Sequence, residues 1–128
     1  MKRLIILILA IFIIACQSQV GETYKNISPN ELHTMLANKD FLFVNVHIPY
    51  EGDIAGTDLS IPFDQISEPA NLALLPSDKN AKIVLYCRSG RMSEIAANAL
   101  VVLGYTNVWN LDGGMINWEQ QGFEIIGN

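Results

Sequence analysis

Two strand-length runs, Phe41 to Val46 and Lys82 to Tyr86, constrain the fold of this chain more than any other feature. Neither alternates: the first is apolar except for Asn45, and the second is apolar after Lys82. Continuous runs of that length suit strands buried on both faces of a parallel sheet. Helix patterns surround them. Ser28-Pro29-Asn30-Glu31 predicts a helix start, with Ser28 as N-cap, Pro29 in the first turn and Glu31 closing a capping box. Leu32, Met35 and Leu36 supply its buried stripe, His33 lies on the surface beside it, and Asn38-Lys39-Asp40 ends it.

Ile48 to Pro62 is turn-rich and holds one short strand at Leu59 to Ile61, and Glu68 to Leu75 reads as a short helix stopped by Pro76. Met92 to Leu103 has the strongest helix pattern, with Ile95, Ala96, Ala99, Leu100 and Leu103 on one face and Gly104 just beyond its end. Thr106 to Asn110 is a further strand, and Gly113-Gly114 leads into a last short helix through Trp118 to Gly122. Strands alternating with helices predict an α/β domain with a largely parallel sheet.

The 128 residues fit one domain, and a chain half apolar and 16% charged is neither disordered nor collagen-like. Its formal charge is −5, which argues against a nucleic-acid partner, because phosphate binding needs clustered Lys and Arg. Two cysteines, Cys16 and Cys87, exclude a disulfide-rich scaffold and a four-thiolate metal site.

The amino terminus reads as an address. Met1-Lys2-Arg3 is basic, and Leu4 to Ala15 carries no polar side chain. As a helix those residues rise only ~18 Å, short of the ~30 Å hydrocarbon core, which favours a secretory signal over a spanning helix. Ile13-Ile14-Ala15-Cys16 resembles the lipobox of bacterial lipoprotein signal peptides. That resemblance implies a signal at 1–15, a lipidated tether at 16–23 beginning with Cys16, and a folded domain at 24–128. It also implies an extracytoplasmic protein held to a bacterial-type cell membrane through acyl chains. Cleavage takes Lys2 and Arg3 away, leaving six basic against thirteen acidic residues, and makes Cys87 the one free thiol.

Cys87 sits at the carboxyl end of the second strand, in Cys87-Arg88-Ser89-Gly90-Arg91-Met92-Ser93. Ligands of open α/β sheets bind beyond the carboxyl ends of strands. Six residues between strand and helix let backbone N–H groups converge, Gly90 permits a tight turn, and the helix dipole adds positive potential. With Arg88 and Arg91 alongside, all of these favour a thiolate and an anionic substrate. Of the two arginines, Arg91 is the stronger candidate for substrate contact. The bland alternative for Cys87 is a buried small hydrophobe.

The same heptapeptide looks like the active-site loop of single-domain rhodaneses, the thiosulfate sulfurtransferase family. Val108-Trp109-Asn110-Leu111-Asp112-Gly113-Gly114-Met115, continuing through Trp118 to Gly122-Phe123, resembles that family's closing signature, and Ile27 to Leu32 its opening. The likeness runs from about Tyr24 to Ile126. It implies a rhodanese-like fold: about five strands in a mainly parallel sheet, flanked by helices on both faces. It further implies that Cys87 takes sulfane sulfur from a small anionic donor such as thiosulfate, and passes it from a persulfide to cyanide or to a thiol or protein-thiol acceptor. Arg88, Ser89, Gly90, Arg91, Met92 and Ser93 would hold the substrate, and no metal or other cofactor is implied.

The chain departs from the family at two places. Asn45-Val46-His47 stands where Asp-Val-Arg is usual, removing both charges of an ion pair together. A neutral Asn45–His47 hydrogen bond could take over that job, or His47 could face the site as a proton donor or acceptor. Gly52-Asp53-Ile54-Ala55-Gly56-Thr57 replaces the usual Gly-His-Ile-Pro-Gly-Ala, and Asp53 reads as a solvated turn aspartate. Three rivals remain: a non-catalytic sulfur carrier or binding module of the same fold, a cysteine-loop phosphatase or arsenate reductase, and a thiol–disulfide oxidoreductase. The second needs five residues between Cys and Arg, where Arg91 comes two positions early. The third lacks a paired cysteine.

Overall fold

The computed structural model describes residues 23–127. Five strands and four helices follow in the order β1 (Lys25–Ile27), α1 (Pro29–Leu36), β2 (Leu42–Asn45), β3 (Leu59–Ser60), α2 (Pro69–Leu72), β4 (Ile83–Tyr86), α3 (Arg91–Val102), β5 (Val108–Leu111) and α4 (Gly114–Gln120), with a 3-10 turn at Phe63–Gln65. The strands form one sheet in the order β1-β5-β4-β2-β3, every pair parallel. The signal sequence, Cys16 and nearly all of the tether expected from the sequence lie outside the described residues. No helix among the described residues is long and apolar enough to cross a membrane.

The non-alternating strands have a direct cause. Ile83 and Leu85 of β4 face a core shared with Ala96, Ala97 and Leu100 of α3, whereas Val84 and Tyr86 face Leu32 of α1 and Met115 and Trp118 of α4. Both sides of the strand are covered, so both sets of positions must be apolar. The amino-terminal helix starts at Pro29 as expected, with Ser28 Oγ accepting the Glu31 amide at 3.2 Å, but the return bond from the Ser28 amide to the Glu31 side chain that closes a capping box is not formed. Leu32 is fully buried, Met35 and Leu36 pack at its margin, and exposed His33 stacks on Phe123 with ring centroids 4.3 Å apart.

Two local expectations are corrected and one strand was not foreseen. The buried stripe of α3 is Ser93, Ala96, Ala97 and Leu100, while Ile95 is 46% exposed and Leu103 sits at the rim. Small side chains at Ser93, Ala96 and Ala97 let the helix backbone approach the sheet, and that selects the face more strongly than residue size does. The fifth strand begins at Val108 instead of Thr106, because Thr106 is tied to Lys79 by its amide at 2.9 Å. The short strand β1 was not legible in the sequence: two of its three residues are exposed, and it is held by its partner β5.

Candidate active site

Parallel strands end together, so the loops after β2, β4 and β5 gather at one edge of the sheet. Cys87 follows β4 and is 1% exposed, free, and grouped with the α3-side core. Its Sγ accepts the Gly90 amide at 3.0 Å and lies 3.3 Å from Ser93 Oγ. Gly90 caps α3 with φ of 108°, a conformation that side-chain-bearing residues rarely adopt, so the loop can fold its own amide back onto the sulfur. Arg91, Met92 and Ser93 form the first turn of α3, whose amides have no partner within the helix and carry its positive pole.

The closing Gly113-Gly114 pair braces this loop. Gly114 opens α4, and the next two amides, of Met115 and Ile116, donate to the carbonyls of Cys87 and Arg88, each at 2.9 Å. A Cβ on Gly114 would lie 2.6 Å from the Arg88 carbonyl oxygen and closer still to that of Cys87, and its φ is +58°. Glycine is therefore required by contact and by conformation at once.

The two arginines have different surroundings. Arg88 is 54% exposed and its Nη1 donates to Glu51 Oε2 at 2.6 Å, whereas Arg91 is exposed with no carboxylate within 4 Å among the described residues. The Arg88 hydrogen bond holds the Glu51 carboxyl below its ordinary pKa. Ser89 is exposed and Met92 is half-buried against the α3-side core. Glu51 was missed by sequence reasoning, since nothing distinguishes one acid among thirteen.

Asn45 and His47 part company. Asn45 is fully buried; its Oδ1 accepts the backbone amide of His47 at 3.0 Å, and its Nδ2 donates to Gly52 O at 2.9 Å and Asp53 Oδ1 at 3.0 Å. The anticipated Asn45–His47 bond is thus made to the main chain and not to the imidazole. His47 is 9% exposed, and its Nε2 lies 3.3 Å from Glu51 Oε2 without hydrogen-bond alignment, so neither ring nitrogen is bonded among the described residues.

Asp53 is not the solvated turn residue expected. Its carboxylate accepts from Asn45 Nδ2, from Tyr50 Oη at 2.7 Å and from Tyr86 Oη at 3.1 Å. The negative charge missing at position 45 stands eight residues further on, facing the same strand. Burial, reinforced by Asp53, raises the Tyr86 phenol well above its ordinary pKa.

The site also includes two residues not anticipated as such. Asn110, buried in β5, accepts a short hydrogen bond from Ser93 Oγ, and its Nδ2 donates to Asn26 Oδ1 at 3.0 Å. An amide interrupting an apolar strand was the available signal, as it was for Asn45.

Comparison with known proteins agrees with this architecture. Residues 28–121 match the family described as rhodanese-like domain. Over 111 residues the chain is 31% identical to a tRNA uridine(34) hydroxylase of Escherichia coli, covering 84% of this chain but only 31% of that protein. Among solved structures, a rhodanese-like domain protein from Staphylococcus aureus is 32% identical with a TM-score of 0.65, covering 80% of this chain and 99% of that one. A rhodanese-related protein from Thermoplasma volcanium is 26% identical with a TM-score of 0.67, covering 80% and 98%. With its parallel five-stranded sheet and its cysteine loop at the carboxyl edge, this chain belongs to the rhodanese-like domain family.

Proposed function

We propose that the protein is a sulfurtransferase that carries sulfane sulfur on Cys87. The observation that carries this reading is the bond from the Gly90 amide to Cys87 Sγ, which aims a backbone N–H at the sulfur at the head of α3. The Cys87 thiolate attacks the outer sulfur of thiosulfate. An S–S bond forms to Sγ, the sulfur–sulfur bond of the donor breaks, and its electron pair leaves with sulfite. Cyanide or a thiolate then attacks the outer sulfur, and the Sγ–S pair returns to Cys87. Arg91 binds the donor's oxyanion, and Arg88, already paired with Glu51, contributes less.

The hydroxylase chemistry named for the Escherichia coli relative is not carried over. The chain spans 31% of that protein, and its charge of −5 opposes a nucleic-acid substrate. The amino-terminal sequence supports a place outside the cytoplasm, on a membrane through lipid on Cys16, with the domain at 24–128.

The test is the mass of the full chain in detergent before and after thiosulfate, the Cys87 peptide being examined for sulfur, followed by thiocyanate release with cyanide. One added sulfur that is absent from Cys87→Ser and turned over by cyanide is the expected result. Sulfur loaded but not released assigns the protein as a carrier. No uptake by the folded, reduced protein overturns the reading.

A further inference from the structure

Ser93 Oγ carries one proton and has three acceptors around it: Gly90 O at 3.0 Å, Asn110 Oδ1 at a shorter distance, and Cys87 Sγ at 3.3 Å. Asn110 Oδ1 is the nearest of the three and Gly90 O also accepts, so while the proton serves either oxygen the hydroxyl can accept from a Cys87 thiol but cannot donate to a Cys87 thiolate. Asn110 presents its oxygen to Ser93 because its Nδ2 is engaged by Asn26 Oδ1 at 3.0 Å. The two asparagines are direct register partners on β5 and the edge strand β1, and Asn26 is exposed. If both amides turn over, Asn110 Nδ2 donates to Ser93 Oγ, and the single Ser93 proton is left to Gly90 O and to the sulfur, of which a thiolate is the charged acceptor. Asn110 is fully enclosed, so its orientation follows what position 26 offers.

We propose that Asn26 and Asn110 are positioning residues that set whether the Ser93 hydroxyl donates to the sulfur of Cys87. A surface side chain thereby tunes a buried thiol through three hydrogen bonds, with no contact to substrate. The inference rests on Cys87 being the reactive group, but its test does not require that sulfur ever be transferred. The charged groups near the loop (Arg88 with Glu51, Arg91, Glu94 and Asp112), and His47, are left as they are.

The experiment is the alkylation rate of Cys87 by iodoacetamide in the folded full chain at pH 7, read on the Cys87 peptide so that Cys16 does not contribute. Asn26→Asp is acceptor-only and pins the orientation the parent already holds, so alkylation stays at the parent rate. Asn26→Lys, which only donates, and Asn26→Leu, which has no polar group and no charge, both speed it by about three- to tenfold, the equivalent of one net hydrogen bond. The decisive arm repeats all three with Ser93→Ala, where the differences collapse. Differences that persist without Ser93 are through-space charge effects and overturn the proposal, as does a Leu variant that behaves like the parent. A folded parent whose Cys87 resists alkylation also overturns it, whatever the sulfur-loading assay shows.

Discussion

The amide of Met115 donates to the carbonyl of Cys87 at 2.9 Å, so the last helix of the domain holds the loop that follows its central strand. The bond spans twenty-eight residues of sequence, and the Ile116 amide repeats it one position on, to Arg88. Gly114 makes this approach possible.

Replacing Gly114 by Ala forces a Cβ against two carbonyl oxygens at positive φ, and either α4 or the cysteine loop must retreat. The expected cost is about 2–4 kcal/mol, combining backbone strain with the displaced contacts. Urea unfolding checks it: the midpoint falls with little change in slope. Sulfur loading of Cys87 falls in the surviving folded fraction as well.

Arg91→Ala raises the KM for thiosulfate by about tenfold, as expected for loss of one charge-assisted contact to an anion. Arg88→Ala has a smaller effect, because its guanidinium is already shared with Glu51 and is 54% exposed. Steady-state rates with cyanide as acceptor give both values. Equal effects from the two arginines would contradict the proposed division of labour.

Glu51 is held below its ordinary pKa by Arg88, so its contribution to stability is present above the unfolded carboxyl value. That contribution is lost as pH falls through the folded value. Glu51→Gln is therefore the less stable protein near neutrality, and its disadvantage shrinks toward zero in acid. Thermal midpoints of parent and variant measured from pH 7 down to pH 3 read the convergence directly.

Tyr86→Phe deletes a phenol that accepts the Ile54 amide at 3.0 Å, lies 2.7 Å from Thr57 Oγ1 and donates to Asp53. Three groups lose a partner together, the Ile54 amide its only one among the described residues, and the expected loss is about 1–3 kcal/mol. The folded Tyr86 pKa is raised, so its share of stability holds below the unfolded value and fails as pH climbs through the folded one. Equilibrium unfolding from pH 7 to pH 11 should show parent and Phe variant drawing together at the alkaline end.

The architecture was legible along the chain because it is written in local patterns. Continuous apolar strands announce two covered faces, Ser28-Pro29 carries the side chain and the ring that suit a helix start, and Cys87 stands at a strand-to-helix turn that Gly90 allows to close. What the tertiary structure alone decided is partnership. Which arginine is neutralised depends on Glu51, thirty-seven residues away from Arg88. Whether Asp53 is solvated depends on a phenol from β4, and the acceptor that Ser93 Oγ meets is an amide from β5, itself bonded to another from the edge strand. Hydrogen bonds and ion pairs act over about 3 Å and have no sequence period, whereas the burial of apolar faces does, so the first class of fact appears only when the strands are laid side by side.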